Sequence, residues 1–209
     1  MTDRNAFSRR DILLPAMAST AAMLLPSGTA SAASQDTDTP PFEGIMQISF
    51  IVEDLQQAME QYTQRLGIGP WFVSPHFSPE KNLYRGEPND ADVSIGMTFS
   101  GPMNFELIQM HDEKPSVYRE TFLRRSYGFH HWAMASHDIE ADIAKYQASG
   151  HEIALDIIIN GGRVVYADTS TYLDGMTELI EITEGVRSGF GNMFRIARDW
   201  DGKDLIFAG

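Results

Sequence analysis

The 209-residue chain contains no cysteine. This excludes a disulfide framework, a cysteine nucleophile, a lipid-modified cysteine and thiolate metal ligands, so a metal ion here must sit among nitrogen and oxygen donors. Basic residues are scarce: 16 Lys and Arg stand against 29 Asp and Glu, for a formal charge of −13. A surface this acidic repels phosphate backbones and anionic headgroups, which argues against nucleic acid and against peripheral membrane attachment. A membrane-spanning run is lacking too, because the uncharged stretch from Ile12 to Pro26 is short and interrupted by Pro15 and Ser19. With 43% hydrophobic and 22% charged residues, the chain has the composition of an ordinary soluble globular protein.

What the first residues do contain is Arg9-Arg10, then the apolar stretch, then the small-residue run TASAAS. This pattern reads as a twin-arginine signal peptide over residues 1–33, which predicts export to the periplasm and no membrane anchor after cleavage. Such a route exports folded chains, so a metal can be loaded before export. Residues 34–42 are polar and end in Pro40-Pro41, which reads as a flexible leader.

From Ile45 an apolar β-branched stretch runs to Asp54, a helix N-cap, followed by Leu55, Ala58, Met59 and Tyr62 at helical spacing. The pattern returns 84 residues later, with His131 in the place of Gln47, Asp138 of Asp54, Ile143 of Met59 and Tyr146 of Tyr62. A second match, NFELIQM at 104–110 with MTELIEI at 176–182, has an offset of 72. The 12-residue difference is absorbed by Ser78 to Asp90, which has no counterpart in the second half. The chain is therefore a repeat of a whole supersecondary unit, β-α-β-β-β, within an α+β fold. Module one spans residues 43–112, a linker with a short helix 113–127, and module two 128–185. The tail at 186–209 has helical spacing and reads as a packing or dimerisation element.

Alternation along a strand places Gln47, Ser49 and Ile51 on one face, with Ile48, Phe50 and Val52 toward the helix. The equivalent strand puts His131, Ala133 and Ala135 on the open face and His130, Trp132 and Met134 on the helix side. Glu106 and Glu178 occupy identical places in the two matched strands, and a carboxylate in an apolar strand is costly to bury without a partner. Each of Gln47, Glu106, His131 and Glu178 is thus equivalent to another of the four, which predicts one divalent metal ion held by all of them. The donor types suit Zn, Ni, Co, Mn or Fe. Glu181 and its counterpart Gln109 fall on the other face, Glu181 being the alternative ligand if the register slips. His76, His111, His137 and His151 lack support from the repeat.

QISFIVEDL, FELIQ, GFHHWAM and ELIE resemble the vicinal oxygen chelate superfamily, which includes glyoxalase I, methylmalonyl-CoA epimerase, extradiol dioxygenases and bleomycin-resistance proteins. The resemblance covers residues 43–185 and implies a cup-shaped mixed sheet made of two tandem modules. It carries the family's metal ligands onto Gln47, Glu106, His131 and Glu178, a set similar to that of glyoxalase I. It also implies that Glu178, with Glu106, moves a proton during catalysis. The function implied is a metal-dependent glyoxalase-like lyase or isomerase, working by enediolate-type proton transfer on a small carbonyl substrate. A non-catalytic binding protein of the bleomycin-resistance type is the alternative, and an iron-dependent oxygenase ranks third because glutamine stands at position 47. A homodimer is one assembly the family uses. Glutathione and coenzyme A are chiefly cytoplasmic, which argues against them as substrates of an exported enzyme. Tyr84, Arg85 and Arg163 are candidate pocket-wall residues.

Overall fold

The computed structural model describes residues 39–208, so the export signal and the start of the leader lie outside the described residues. Residues 39–42 form no regular element, but Pro40 and Phe42 are buried, and the Arg187 guanidinium lies 5.1 Å from the Phe42 ring.

Module one opens with β1 (Ile45–Val52) and α1 (Leu55–Leu66). The Asp54 carboxylate accepts from the Gln57 N–H at 2.8 Å, and Gly67 ends the helix in the left-handed conformation, φ 68°. Next come β2 (Phe72–Ser74), a hairpin of β3 (Lys81–Tyr84) and β4 (Glu87–Pro88), then β5 (Val93–Ser100) and β6 (Met103–Met110). The linker holds α2 (Val117–Arg125). Module two repeats the order with β7 (Gly128–Ser136), α3 (Ile139–Ala148), β8 (Ile153–Ile159), β9 (Gly162–Ala167), the short α4 (Ser170–Leu173) and β10 (Met176–Glu181). Asp138 caps α3 by accepting from the Ala141 N–H at 3.0 Å, as its counterpart Asp54 caps α1. A final helix, α5 (Glu184–Arg198), follows directly.

All ten strands join one sheet in the order β2-β5-β6-β1-β7-β10-β9-β8-β3-β4. The modules meet where β1 runs antiparallel to β7, so one chain completes the curled half-barrel. The stretch without a counterpart supplies the β3–β4 hairpin, which crosses over to pair with β8 of module two, Leu83 opposite Asp156.

The convex face is covered by helices: Leu55 and Met59 of α1 pack with Leu107 and Trp71, and Ile139 and Ile143 of α3 pack with Val165 and Leu179. Each such side chain contributes roughly 1.5–3 kcal/mol on burial. The concave face gathers Ile51, Ile95, Ile108, Ala133, Val164, Tyr166 and Ile180. Helix α5 lies along its open side, with the Phe99 ring 6.0 Å from Phe190 and 5.5 Å from Phe194. Beyond α5 the chain returns to Trp71, whose N–H donates to the Leu205 carbonyl at 2.8 Å, so the helix is tied at both ends.

Candidate metal centre and ligand cavity

The β1–β7 pairing contains two irregularities. Ile45 and Gln47 face Met134 and Ala133, and Ser49 and Phe50 face His131 and Phe129, so Met46 and His130 are each an extra residue. An extra residue in one strand turns two successive side chains to the same side. Met46 therefore joins the concave core beside Gln47, and His130 turns in beside His131. This corrects the alternation reading, which placed His130 on the helix side. Its ring instead lies 5.2 Å from Tyr118 and 5.7 Å from Tyr166.

Gln47, Glu106, His131 and Glu178 are brought together on the concave face, all buried, with His131 at 0% exposure. His131 Nε2 stands 3.1 Å from Glu178 Oε2 and 3.4 Å from Glu106 Oε2. None of these three atoms makes a hydrogen bond, although all are shut away from solvent. Three buried polar atoms without partners are costly unless something else satisfies them.

The opposite side of the imidazole is well supported. His130 Nε2 lies 3.3 Å from the Val117 carbonyl, and His130 Nδ1 lies 2.8 Å from His131 Nδ1. A carbonyl only accepts, so His130 Nε2 donates and a neutral His130 accepts at Nδ1. His131 then donates from Nδ1, so the proton that a metal displaces is the one on Nε2, which frees there the lone pair a ligand needs. Burial, and then the charge of His131, hold His130 well below the usual histidine range, which keeps it neutral. Burial also opposes charge on His131, but the Glu178 and Glu106 carboxylates outweigh it and raise its pKa. Glu106 is pushed up to about 7, chiefly by burial and further by Glu178, with His131 opposing.

Among the described residues, no group of three or more His, Asp and Glu is arranged as a finished metal site. The donor set nevertheless fits one. Its members supply nitrogen and oxygen only, three donor atoms are orphaned, and the separations of 3.1 and 3.4 Å are edges of the kind formed between ligands bonded to one ion at about 2.1 Å. Glu181 is confirmed on the other face, accepting from the Arg163 N–H at 2.9 Å, as its counterpart Gln109 accepts from the Leu55 N–H at 2.8 Å.

Residues 46–166, more than half of the chain, match the family described as the Glyoxalase/Bleomycin resistance protein/Dioxygenase superfamily. The chain belongs to this superfamily. The match ends in β9, so Glu178 rests on the internal repeat rather than on it. No curated protein matches this superfamily member. Among solved structures, a hypothetical protein from Bacillus halodurans C-125 aligns with a TM-score of 0.50 at 17% identity, over 67% of this chain and 94% of that one. Methylmalonyl-CoA epimerase from Mycobacterium tuberculosis aligns with a TM-score of 0.48 at 18% identity, over 69% and 91%. A Streptomyces coelicolor methylmalonyl-CoA epimerase in complex with 2-nitronate-propionyl-CoA gives 0.45 at 18%, over 68% and 96%.

Gln47, Glu106 and Glu178 form the polar end of a cavity of about 250 Å³ in the cup. Its other walls include Phe77, Met97 and Val164 from the sheet side and Val186, Phe190 and Met193 from α5. Tyr84, Arg85 and Arg163 do not line it, contrary to the sequence expectation. Tyr84 and Arg85 turn to Glu120, and Arg85 also pairs with Asp168, while Arg163 pairs with Asp156 and Glu140. Carboxylates outside the cup draw these groups away from an apolar interior. His76, His111, His137 and His151 likewise bond to Asp92, Ser94, the Phe42 carbonyl and the Asp168 carbonyl. The α5 wall was readable from the sequence only as apolar residues at 186, 190 and 193, a spacing that also fits a helix packed anywhere.

Proposed function

We propose that this protein is a metal-dependent lyase or isomerase acting on a small carbonyl substrate by enediolate-type proton transfer. The observation that carries the reading is the convergence of Glu106 Oε2, His131 Nε2 and Glu178 Oε2, buried and without hydrogen-bond partners. Gln47, Glu106, His131 and Glu178 would hold one divalent ion, which would polarise a substrate carbonyl and acidify the adjoining C–H bond. His131 orients its Nε2 toward that point through the contact with His130. Glu178 reaches the cavity from one module and Glu106 from the other, so each can hold or release a proton at its carboxylate oxygen. The apolar walls and α5 exclude water from the reacting carbon.

Metal analysis of purified protein and turnover of hydroxy- and keto-carbonyl compounds, before and after Glu178→Gln, test this reading. The expected result is close to one equivalent of metal in the wild type and a loss of turnover of at least about 10²-fold in the variant. Retention of metal-dependent turnover by Glu178→Gln rejects Glu178 as the proton carrier. A binding protein without chemistry is the second reading, favoured by the apolar cavity walls, and it predicts saturable ligand binding with no turnover.

A further inference from the structure

The walls of the cavity limit its occupant more sharply than the polar end does. No Lys, Arg or His among the described residues lines it, and the residues above Glu106 and Glu178 are mostly apolar. A phosphate or carboxylate on the ligand would enter without a counter-charge, in a chain whose formal charge is already −13. The polar end imposes the same limit. Two carboxylates balance a divalent ion, so an anionic ligand head would leave one buried negative charge unmatched. The cavity, at about 250 Å³, is smaller than the roughly 300–1,000 Å³ of sites for drug-sized ligands, so a nucleotide-bearing thioester does not fit inside it.

We propose that the cavity takes an uncharged small molecule with a polar head at Gln47, Glu106 and Glu178 and an apolar body against Val186, Phe190 and Met193. These three side chains stand at helical spacing on α5, with Met193 buried, and α5 is held in place at Trp71. Phe190, packed against Phe99, is the specificity-determining wall. The proposal shares its location with the metal reading but rests on the apolar walls, and the two can fail separately.

The test is calorimetric titration of the folded protein, both zinc-equilibrated and chelator-treated, with three probes. Phenacyl alcohol is uncharged with an apolar ring, phenylglyoxylate has the same ring and a carboxylate, and hydroxyacetone is uncharged without the ring. Phenacyl alcohol should bind at least about tenfold more tightly than either of the others. Phe190→Ala should narrow the gap to hydroxyacetone to within about twofold, and Phe190→Arg should turn the preference toward phenylglyoxylate. Phenylglyoxylate binding as tightly as phenacyl alcohol to the wild type, or no saturable binding of phenacyl alcohol in either state, overturns the proposal. If no zinc is taken up but the preference persists, only the metal reading falls. If Phe190→Arg does not fold, Phe190→Ala decides, and an unchanged gap in that variant overturns the assignment of Phe190.

Discussion

His130 and His131 are both fully buried, yet their neighbours push them in opposite directions. His130 faces a carbonyl and stays neutral, whereas His131 faces two carboxylates and holds a proton until a metal displaces it. If His130 fixes the tautomer of His131, His130→Phe should weaken zinc affinity about 10–100-fold in competitive chelator titration, and His130→Asn should restore part of it. Equal affinity in His130→Phe and wild type would show that His131 needs no such support. The same groups set a pH dependence in metal-free protein. Folded Glu106 keeps its proton up to about 7, while the unfolded side chain loses it near 4.5, and folded His131 keeps its proton above 6.5. His130, held well below the usual histidine range, binds fewer protons folded than unfolded below about pH 6.5 and offsets Glu106 there; above that pH the folded state holds the extra protons, and stability falls as pH rises. Scanning calorimetry in chelator should show the Tm dropping on the order of 5 °C between about pH 6.5 and about pH 8, with zinc reversing the drop. A flat or rising Tm would contradict it. The four candidate ligands were legible in the sequence because the repeat singles them out. His130 was not, because alternation assumes an unbroken ladder and a one-residue insertion leaves no compositional trace.

Elements were read from local chemistry and their partners were not. Asp54, Gly67 and Asp138 announced the helix ends because capping is local, and each does cap or stop a helix as expected. The β3–β4 hairpin was visible only as a polar insertion, since its pairing with β8 joins residues about 75 positions apart, Lys81 opposite Ile158. Gly175, just before β10, is an element-scale constraint of the same kind. A Cβ there would lie 2.3 Å from Phe129 Cε1 and 2.8 Å from the His130 carbonyl, so only glycine lets this hairpin end close over β7. Gly175→Ala should cost about 1–3 kcal/mol in urea unfolding, by pushing β10 away from the paired histidines. A cost below about 0.5 kcal/mol would mean that Phe129 yields freely.

At the scale of the molecule, the two modules share one sheet, and Arg85 pins the crossing between them. Carried by the hairpin of module one, it bonds Glu120 of the linker helix at 2.7 Å and Asp168 of module two at 2.9 Å. Arg85→Met should take the guanidinium away from Glu120, Asp168 and Glu152, leaving the first two only the Arg124 cation at 3.6 Å, and lower stability by about 2 kcal/mol, read as a lower midpoint in denaturant with an unchanged slope. A shallower slope instead would mean that the modules unfold separately. The two halves and the helical tail were foreseeable from period and composition and the cup from the family resemblance, whereas the closing of the cavity by α5 depends on contacts that no local pattern encodes. Met46 and His130 occupy the same place in the two halves, each the extra residue before a candidate ligand. The seam between the modules is thus its own mirror in sequence order: each strand uses one residue to turn a second side chain into the cup, so the core gains a thioether at one end of the seam and an imidazole at the other.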